Sequence, residues 1–365
     1  MIPDFWTPDF EVRIDGVPLA TAVERRITEL SVVTEPGTMD TFRLVLANPL
    51  PELPFTHGPL ADTFRAGSAI EIRMGYVDRL TKLFAGEVTS IACAFPESGL
   101  ATITVSGHSR LHHLRGTPHT RTFLDMDDRA IAQKVLDELP SGGKRLTLDA
   151  DPTPGPYPYV IQYNQTDLAF LLDRAGLIGF TLWVDDTTLK LQQATGDEAA
   201  QHTLVWGHPA KGAIGGRHLP LRSFTPTMNA LQPVSRVTVQ GYDQQKAERF
   251  EATVPDAPGG GRATTGADVA AAAGRRVEQV IVDQPIQSQD EARRLARAVF
   301  DRAGLEFITG TGSTIGVPEL RAGRHVNLDG LGKVFDGEYS VTESTHTISS
   351  AGYLTTFVAK KAAVG

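Results

Sequence analysis

The sequence predicts a mainly β protein with α/β insertions, built from two homologous small antiparallel β-barrels plus an α/β domain. Three observations predict this class: short segments in which apolar and polar residues alternate, frequent turn residues, and landmarks that recur in the first and last β segments. The 365 residues include 35 glycines and 23 prolines, which favours short strands joined by turns over long helices.

The first barrel is predicted over residues 1–115 and is expected to be tube-like. Residues 42–46, 70–74 and 102–105 alternate between large apolar and polar side chains, which is typical of half-buried strands. The α/β domain follows over residues 116–220, where apolar residues recur at helical spacing.

The second barrel is predicted to begin at residues 221–256. Residues 257–304 are then expected to form a flexible, glycine-rich excursion and a helix that joins the α/β domain. Residues 305–365, which alternate again, would complete the barrel.

Three landmarks recur in the same order in the two β segments. An Ala-Gly pair precedes an apolar-x-apolar strand, a Phe-x-Gly-Glu step follows, and a Gly-apolar-x-Thr entry begins the next strand. Glycines at matching points suggest matching bends, where a Cβ would clash. We therefore predict six structural glycines: Gly67, Gly86, Gly99, Gly323, Gly337 and Gly352.

Charge and cysteine content narrow the function classes. Lys and Arg total 35 and Asp and Glu 43, a net charge of −8, whereas proteins that grip the nucleic-acid backbone are usually basic. We therefore expect no stable nucleic-acid binding. The single cysteine, Cys93, excludes an internal disulfide framework. We also expect no membrane span and no signal peptide, and hence a protein that is made and kept in a reducing cytoplasm.

Candidate catalytic and metal-binding patterns are incomplete. The segment Gly107-His108-Ser109-Arg110-Leu111 begins like a nucleophile elbow but has Leu111 where the final glycine belongs. Residues 142–145 lack the Ser or Thr of a phosphate-binding loop. A histidine group is interpreted as a surface or interface patch: His108, His112, His113 and His119. An aspartate group is interpreted as charges at a helix N-terminus: Asp125, Asp127 and Asp128. We expect no enzyme, no cofactor and no metal.

Five segments, with residues 161–171 (Ile-Gln-Tyr-Asn-Gln-Thr-Asp-Leu-Ala-Phe-Leu) the most specific, carry a family resemblance. Residues 176–180 follow it, and the other four are residues 105–111 with Arg115, residues 121–133, residues 284–292 and residues 337–341. Over about residues 9–360 the chain resembles phage late control D proteins, which are baseplate hubs of contractile tails. It is also similar to the hub portion of type VI secretion spike proteins.

The resemblance implies a structural baseplate hub of a contractile phage tail or phage-tail-like injection system. Such a hub is a homotrimer that adapts a trimeric spike to the hexameric inner tube. Its implied partners are itself, the inner tube protein, a separate spike protein and baseplate wedge components. The spike is expected on a separate chain because no spike repeat occurs before Gly365. Two like barrels in each of three subunits would place six similar barrels around one axis.

Two other functions are consistent with a tail-tip location. One is a tail-tip cell-wall hydrolase on a β scaffold. The other is a receptor-binding or carbohydrate-binding tail-tip protein, which would expose clustered aromatic side chains.

Overall fold

The computed structural model describes most of the chain, and the statements below concern that part. The described residues are 7–48, 63–139, 146–193, 200–207, 218–229, 233–243, 247–254, 264–284, 286 and 288–364. Strands predominate among them, and 13 strands form one continuous sheet that runs through two barrels. The predicted fold class, mainly β with barrels and α/β insertions, is confirmed.

The first barrel forms because alternate side chains of its strands point to one shared core. Its elements are β1 (Pro8–Ile14), β2 (Val17–Pro18), α1 (Thr21–Glu24), β3 (Ile27–Thr34), β4 (Thr41–Asn48), β5 (Ala69–Tyr76), β6 (Arg79–Ala94) and β7 (Ala101–Ser109). The strands lie in the order β2-β1-β5-β6-β7-β4-β3, and all neighbours are antiparallel. Val12, Leu44 and Ile72 are fully buried in the core.

A short 3-10 helix (Arg110–Leu114) leads from the first barrel into the α/β domain. The elements of that domain are β8 (His119–Met126), α2 (Asp128–Asp137), β9 (Thr147–Ala150), β10 (Tyr157–Gln165), α3 (Asp167–Ile178), β11 (Phe180–Asp185) and β12 (Thr188–Gln193). Strands β8 and β10 form a two-stranded antiparallel ribbon, and β11, β12 and β9 form a three-stranded sheet. Helix α3 begins at the N-cap Thr166 and ends at Gly179, whose φ of +72° suits glycine.

The remaining elements build the second barrel and an insertion within it. They are β13 (Thr203–Trp206), β14 (His218–Met228), β15 (Val234–Asp243), β16 (Glu248–Val254), β17 (Thr264–Thr265), α4 (Gly266–Ala272), β18 (Val277–Ile281), α5 (Gln289–Gly304), β19 (Ile308–Ile315), β20 (His325–Asp329), β21 (Gly337–Ser349), β22 (Gly352–Lys361) and β23 (Ala363–Val364). None of the helices in the described ranges is both long and apolar enough to cross a membrane.

The boundaries of the second barrel differ from those predicted. Strand β13, which lies in the predicted α/β segment 116–220, pairs with β14 and β20 and so belongs to the second barrel. Strands β15 and β16 lie in the segment 221–256 that was expected to begin this barrel. They instead form a separate sheet with β18, because the buried residues Val237 and Val239 pack against Ala292 and Ala296 of α5.

The excursion predicted over residues 257–304 lies only partly in the described chain. Residues 257–263 are outside the described residues, whereas the part after them forms β17, α4, β18 and α5. Helix α4 starts with a capping box between Thr265 and Asp268. Helix α5 packs against α3 of the α/β domain.

Candidate functional site: the paired barrels

The two barrels share one strand topology. The first has the spatial order β1-β5-β6-β7-β4-β3, and the second has the order β13-β20-β21-β22-β19-β14. Five strands therefore correspond in sequence order, in position and in direction. The duplication that the landmarks predicted is a property of the fold.

The sixth position differs between the barrels. Strand β1 runs antiparallel to β5, whereas β13 runs parallel to β20 and also pairs in parallel with β14. The second barrel is therefore a closed ring of six strands. In the first barrel, the ladders of the described residues leave β1 and β3 unpaired with each other, and β3 pairs instead with β21.

The first landmark marks the same turn in both barrels. Gly67 and Gly323 precede β5 and β20 with φ values of +88° and +84°, a conformation that favours glycine. The Gly67 N–H donates to the Val88 carbonyl at 2.8 Å, and the Gly323 N–H donates to the Val341 carbonyl at 2.8 Å. These hydrogen bonds align Val88 with Val341.

A matched β-bulge follows each of these valines. The β6–β7 ladder shifts register between Val88 and Ser90, and the β21–β22 ladder shifts between Val341 and Glu343. The residue skipped in each case is a threonine. The Val-Thr pair was therefore a fourth repeat signal in the sequence, which the landmark comparison missed.

The second landmark is not a structural equivalence. Counting back from the aligned valines, Gly86 corresponds to Tyr339, and Phe84 corresponds to Gly337. Glycine and aromatic residue have exchanged places on one strand face. The bends also differ: a Cβ on Gly86 would lie 2.3 Å from the His108 carbonyl oxygen, whereas Gly337 is required by its φ of +122°. The expectation of matching bends at these two glycines is wrong.

The third landmark is offset by one residue. Gly107 and Ala359 are equivalent because they pair with the aligned valines Val88 and Val341. Counting back from them, Gly99 corresponds to Ala351, the residue before Gly352. Gly99 and Gly352 nevertheless have similar φ values of +102° and +97°. Both glycines allow the chain to turn into the next strand of its barrel.

A buried polar cluster joins the barrels where β3 pairs with β21. The Thr34 and Ser344 hydroxyls are 2.8 Å apart across this junction. The His346 Nε2 lies 3.1 Å from the Leu320 carbonyl, and its Nδ1 lies 3.0 Å from the Tyr353 hydroxyl. Burial lowers the pKa of His346 to about 3, so the imidazole is neutral at physiological pH.

An arginine reinforces the same junction. The Arg321 guanidinium donates to the Lys82 carbonyl of the first barrel. Burial raises the pKa of the nearby Asp40 carboxyl to about 6. The Tyr76 hydroxyl donates to the Gly316 carbonyl at 2.8 Å. Hydrogen bonds therefore tie the two barrels together at several points, in addition to the shared sheet.

The segment that carries the strongest family resemblance forms a hydrogen-bond network in the α/β domain. Gln162 is fully buried, and its Nε2 donates to Asp167 Oδ1 at 2.9 Å. Arg121 Nε donates to Gln162 Oε1 at 2.9 Å, and the same guanidinium pairs with Asp167. Gln162 and Asp167 therefore orient strand β10 relative to helix α3 and have a structural role.

The three aspartates near α2 have separate roles. Asp127 is the N-cap and accepts a backbone N–H at 2.7 Å, as expected of a helix N-terminus. Asp125 is exposed. Asp128 is buried and accepts from Arg174 Nε at 2.6 Å and from the Tyr157 hydroxyl at 3.0 Å. Asp128 is therefore half of a buried ion pair, which helix charge alone did not predict.

In the segment that begins like a nucleophile elbow, the His108 side chain forms no hydrogen bond with the Ser109 hydroxyl. Ser109 ends β7, and its buried Oγ has no hydrogen-bond partner within the described ranges. The adjacent His108 directs Nδ1 to the Thr89 hydroxyl at 3.0 Å. Neighbouring strand residues point to opposite faces, so a Ser-His relay between these two residues is excluded by the geometry.

The histidine group divides in the same region. His112 and His113 lie in the 3-10 helix, and both approach the Glu87 carboxylate of strand β6. His119 lies apart, at the start of β8. Sequence reasoning missed Glu87, although the β6–β7 ladder places it directly opposite His108. The candidate phosphate loop at residues 142–145 lies outside the described residues.

Two larger surface features complete the description. A cleft of about 1980 Å³ lies between the barrels and helices α3 and α5, which exceeds the ~300–1,000 Å³ of ordinary small-molecule pockets. The β8–β10 ribbon has one exposed apolar face, which consists of Leu124, Tyr159, Ile161 and Tyr163. An apolar face of this kind is typical of a protein–protein contact.

Solved structures share this fold. A 43 kDa tail protein of prophage MuSo2 from Shewanella oneidensis is 14% identical, with a TM-score of 0.70 over 97% of this chain and 98% of that one. A tail protein from Neisseria meningitidis MC58 is 15% identical, with a TM-score of 0.69 over 98% and 97%. The E. coli c3393 protein, a type VI secretion component described as similar to the bacteriophage T4 tail proteins gp27 and gp5, is 13% identical, with a TM-score of 0.58 over 95% and 76%.

The chain thus has the fold of phage tail proteins and of a type VI secretion component. No curated protein sequence is significantly similar to it. The family model described as the Alg8 N-terminal domain matches residues 9–350, and the chain therefore belongs to the Alg8 N-terminal domain family.

Proposed function

We propose that this protein is the structural hub of a phage-tail-like baseplate, in which a homotrimer adapts a trimeric spike to a hexameric inner tube. The observation that carries the proposal is the paired topology of the barrels, with five strands equivalent in order and direction. A threefold assembly of such subunits presents six similar barrels, which matches a sixfold partner.

The differences between the barrels fit the contact of the proposed adaptor with a threefold partner. One barrel is closed by the parallel strand β13, whereas the other leaves β1 and β3 without a shared ladder. Alternate barrels around the ring would therefore present different edges, and the assembly keeps threefold symmetry where it meets a threefold partner. The hydrogen bonds between Thr34 and Ser344 and between Tyr76 and Gly316 would hold the two barrels in fixed orientation.

The exposed face of the β8–β10 ribbon supports a contact with another protein. Its apolar side chains are outside the four cores found among the described residues, and burying them would stabilise an assembly by roughly 25 cal/mol per Å². We assign this face to the contact between hub subunits. The inner tube protein, a spike protein and baseplate wedge components are the further proposed partners.

The proposed role is mechanical, without enzymatic activity, and it places the protein in a virion or particle baseplate assembled in the bacterial cytoplasm. Support comes from the elbow segment, in which His108 contacts Thr89 and the Ser109 hydroxyl is buried.

The test is the mass of the purified full chain in solution, measured by light scattering during gel filtration. A homotrimer is expected at about 118 kDa, three times 39.4 kDa. Tyr163→Lys, at a side chain 70% exposed on the ribbon, should shift the protein towards monomer, whereas Tyr242→Lys, at a tyrosine 50% exposed on β15, should not. A monomer at every concentration, alone and with tube protein, would contradict the hub proposal.

The exposed tyrosines of the ribbon also favour one competing function, carbohydrate binding by stacking on aromatic rings. A pull-down with isolated bacterial cell walls separates the two. The hub proposal predicts no retention. Retention that is lost in Tyr163→Lys and kept in Tyr242→Lys would favour a receptor-binding tail-tip protein.

A further inference from the structure

We propose that Glu87, His112 and His113 form a binding site for a divalent transition-metal ion, with Zn²⁺ as the best match. The inference is independent of the hub proposal, because it rests on the first barrel and the 3-10 helix of one chain. The three residues each offer one ligand atom, and these atoms all lie within 4.8 Å of one another.

The distances resemble the edges of a metal coordination shell. Glu87 Oε1 is 3.1 Å from His113 Nε2, and Glu87 Oε2 is 3.5 Å from His112 Nε2. Ligands at the ~2.0–2.1 Å typical of zinc in tetrahedral geometry lie about 3.3 Å apart. A small rotation of one partly exposed imidazole would bring the two histidine nitrogens to this separation, and the fourth ligand position would remain open for water.

The hydrogen bond of His112 determines which nitrogen faces the carboxylate. Its Nδ1 lies 3.0 Å from the Ser109 carbonyl, which can only accept, so Nδ1 carries the proton in the neutral ring. Nε2 then carries the lone pair, and it lies 3.5 Å from Glu87 Oε2. A histidine whose other nitrogen donates to a backbone carbonyl is the usual arrangement of a metal ligand.

The two imidazoles lie side by side, with ring centroids 4.1 Å apart, and both are close to the Glu87 carboxylate. A cation between the three groups could be bound by all of them.

The neighbouring Arg110 is close enough to the Glu87 carboxylate for an ion pair but forms no hydrogen bond with it. Arg110 pairs with Asp186 Oδ1 at 2.6 Å, whereas its Nε is 3.9 Å from Glu87 Oε1, beyond hydrogen-bond distance. Glu87 therefore remains available as a ligand. Two imidazoles and one carboxylate suit zinc, and the same set also binds Co²⁺ and Ni²⁺.

The experiment is a calorimetric titration of Zn²⁺ into full-length protein purified without a polyhistidine tag and treated with chelator. One ion per chain is expected, with affinity reduced at least tenfold in Glu87→Gln and in His113→Ala. His119→Ala, an exposed histidine on β8, should bind as the wild type does. Circular dichroism of each variant establishes that it is folded.

Visible absorption of the Co²⁺-loaded protein gives a second readout, because coordination by imidazole changes its intensity and should be lost in His112→Ala. The proposal is overturned if the wild-type chain takes up no Zn²⁺. It is also overturned if Glu87→Gln and His113→Ala bind with unchanged stoichiometry and affinity, since the ion would then be held by scattered surface histidines.

Discussion

Replacing Gly86 with alanine is expected to destabilise the protein far more than the same change at Gly337. A Cβ on Gly86 would lie 2.3 Å from the His108 carbonyl oxygen and 2.6 Å from the Phe84 ring. An ordinary contact is at least 3.4 Å, so strands β6 and β7 would have to separate locally by about 1.1 Å.

The cost follows from that separation. Overpacking a core typically costs about 1–3 kcal/mol, and each ladder hydrogen bond stretched beyond its range removes about 1 kcal/mol more. We expect Gly86→Ala to lose about 4 kcal/mol of unfolding free energy. At Gly337 the new Cβ meets only the Lys361 ammonium at 2.9 Å, the end of a flexible side chain. Backbone strain at φ +122° then costs about 2 kcal/mol.

Urea unfolding of both variants, followed by far-ultraviolet circular dichroism, measures the two losses. If Gly86→Ala is too unstable to give a folded baseline in urea, hydrogen exchange of the β6 and β7 amides provides a local readout. Increased exchange confined to those strands is expected. Equal losses at Gly86 and Gly337, or a loss below about 1 kcal/mol at Gly86, would refute both the close strand approach and the inequivalence of the two glycines.

Three further predictions rest on other contacts. Gly67→Ala and Gly323→Ala occupy equivalent turns with φ of +88° and +84° and no atom within 4 Å, so each should cost about 1–2 kcal/mol, and urea midpoints that differ strongly would contradict the equivalence. Arg174→Met leaves the buried Asp128 carboxylate without its charge partner and should cost about 3–5 kcal/mol of unfolding free energy. Adding Asp128→Asn should restore part of the loss, and no restoration would contradict the role of the ion pair. The pKa of His346 in the folded protein, about 3, is below its ordinary ~6.5. The unfolded chain therefore binds more protons between these values, and stability should fall as pH falls below ~6.5 by up to about 1.4 kcal/mol per pH unit. Urea midpoints at pH 8 and pH 5 should show this loss in wild type but not in His346→Gln, and parallel curves would contradict it.

Local patterns in the sequence were sufficient to predict the fold class. The alternation at residues 70–74 and 102–105 corresponds to β5 and β7, because a strand buried on one face must alternate whatever its partners are. The apolar residues at helical spacing within residues 116–220 likewise correspond to α2 and α3. Three landmarks in the same order predicted the duplication, and of these the Ala-Gly before β5 and β20 marks an equivalent turn in the structure.

Strand partners could not be read in the same way. The pattern of β15 is compatible with either sheet, and only its contacts with α5 place it beside the α/β domain. The short strand β13 closes the second barrel through parallel ladders to residues far along the chain. Such pairings depend on loop closure and on competing edges, neither of which leaves a local signal.

The candidate sites show the same division. The sequence by itself determined the periodicity of the strands and helices, because it depends on residues within a few positions of one another, and the duplication, because local landmarks recur in both barrels. Only the tertiary structure decided that Gly86 corresponds to Tyr339, and that Glu87 faces His112 and His113. Both results depend on strand register, which hydrogen bonds between distant segments establish, and a shift of one residue would turn every side chain of the strand to the opposite face.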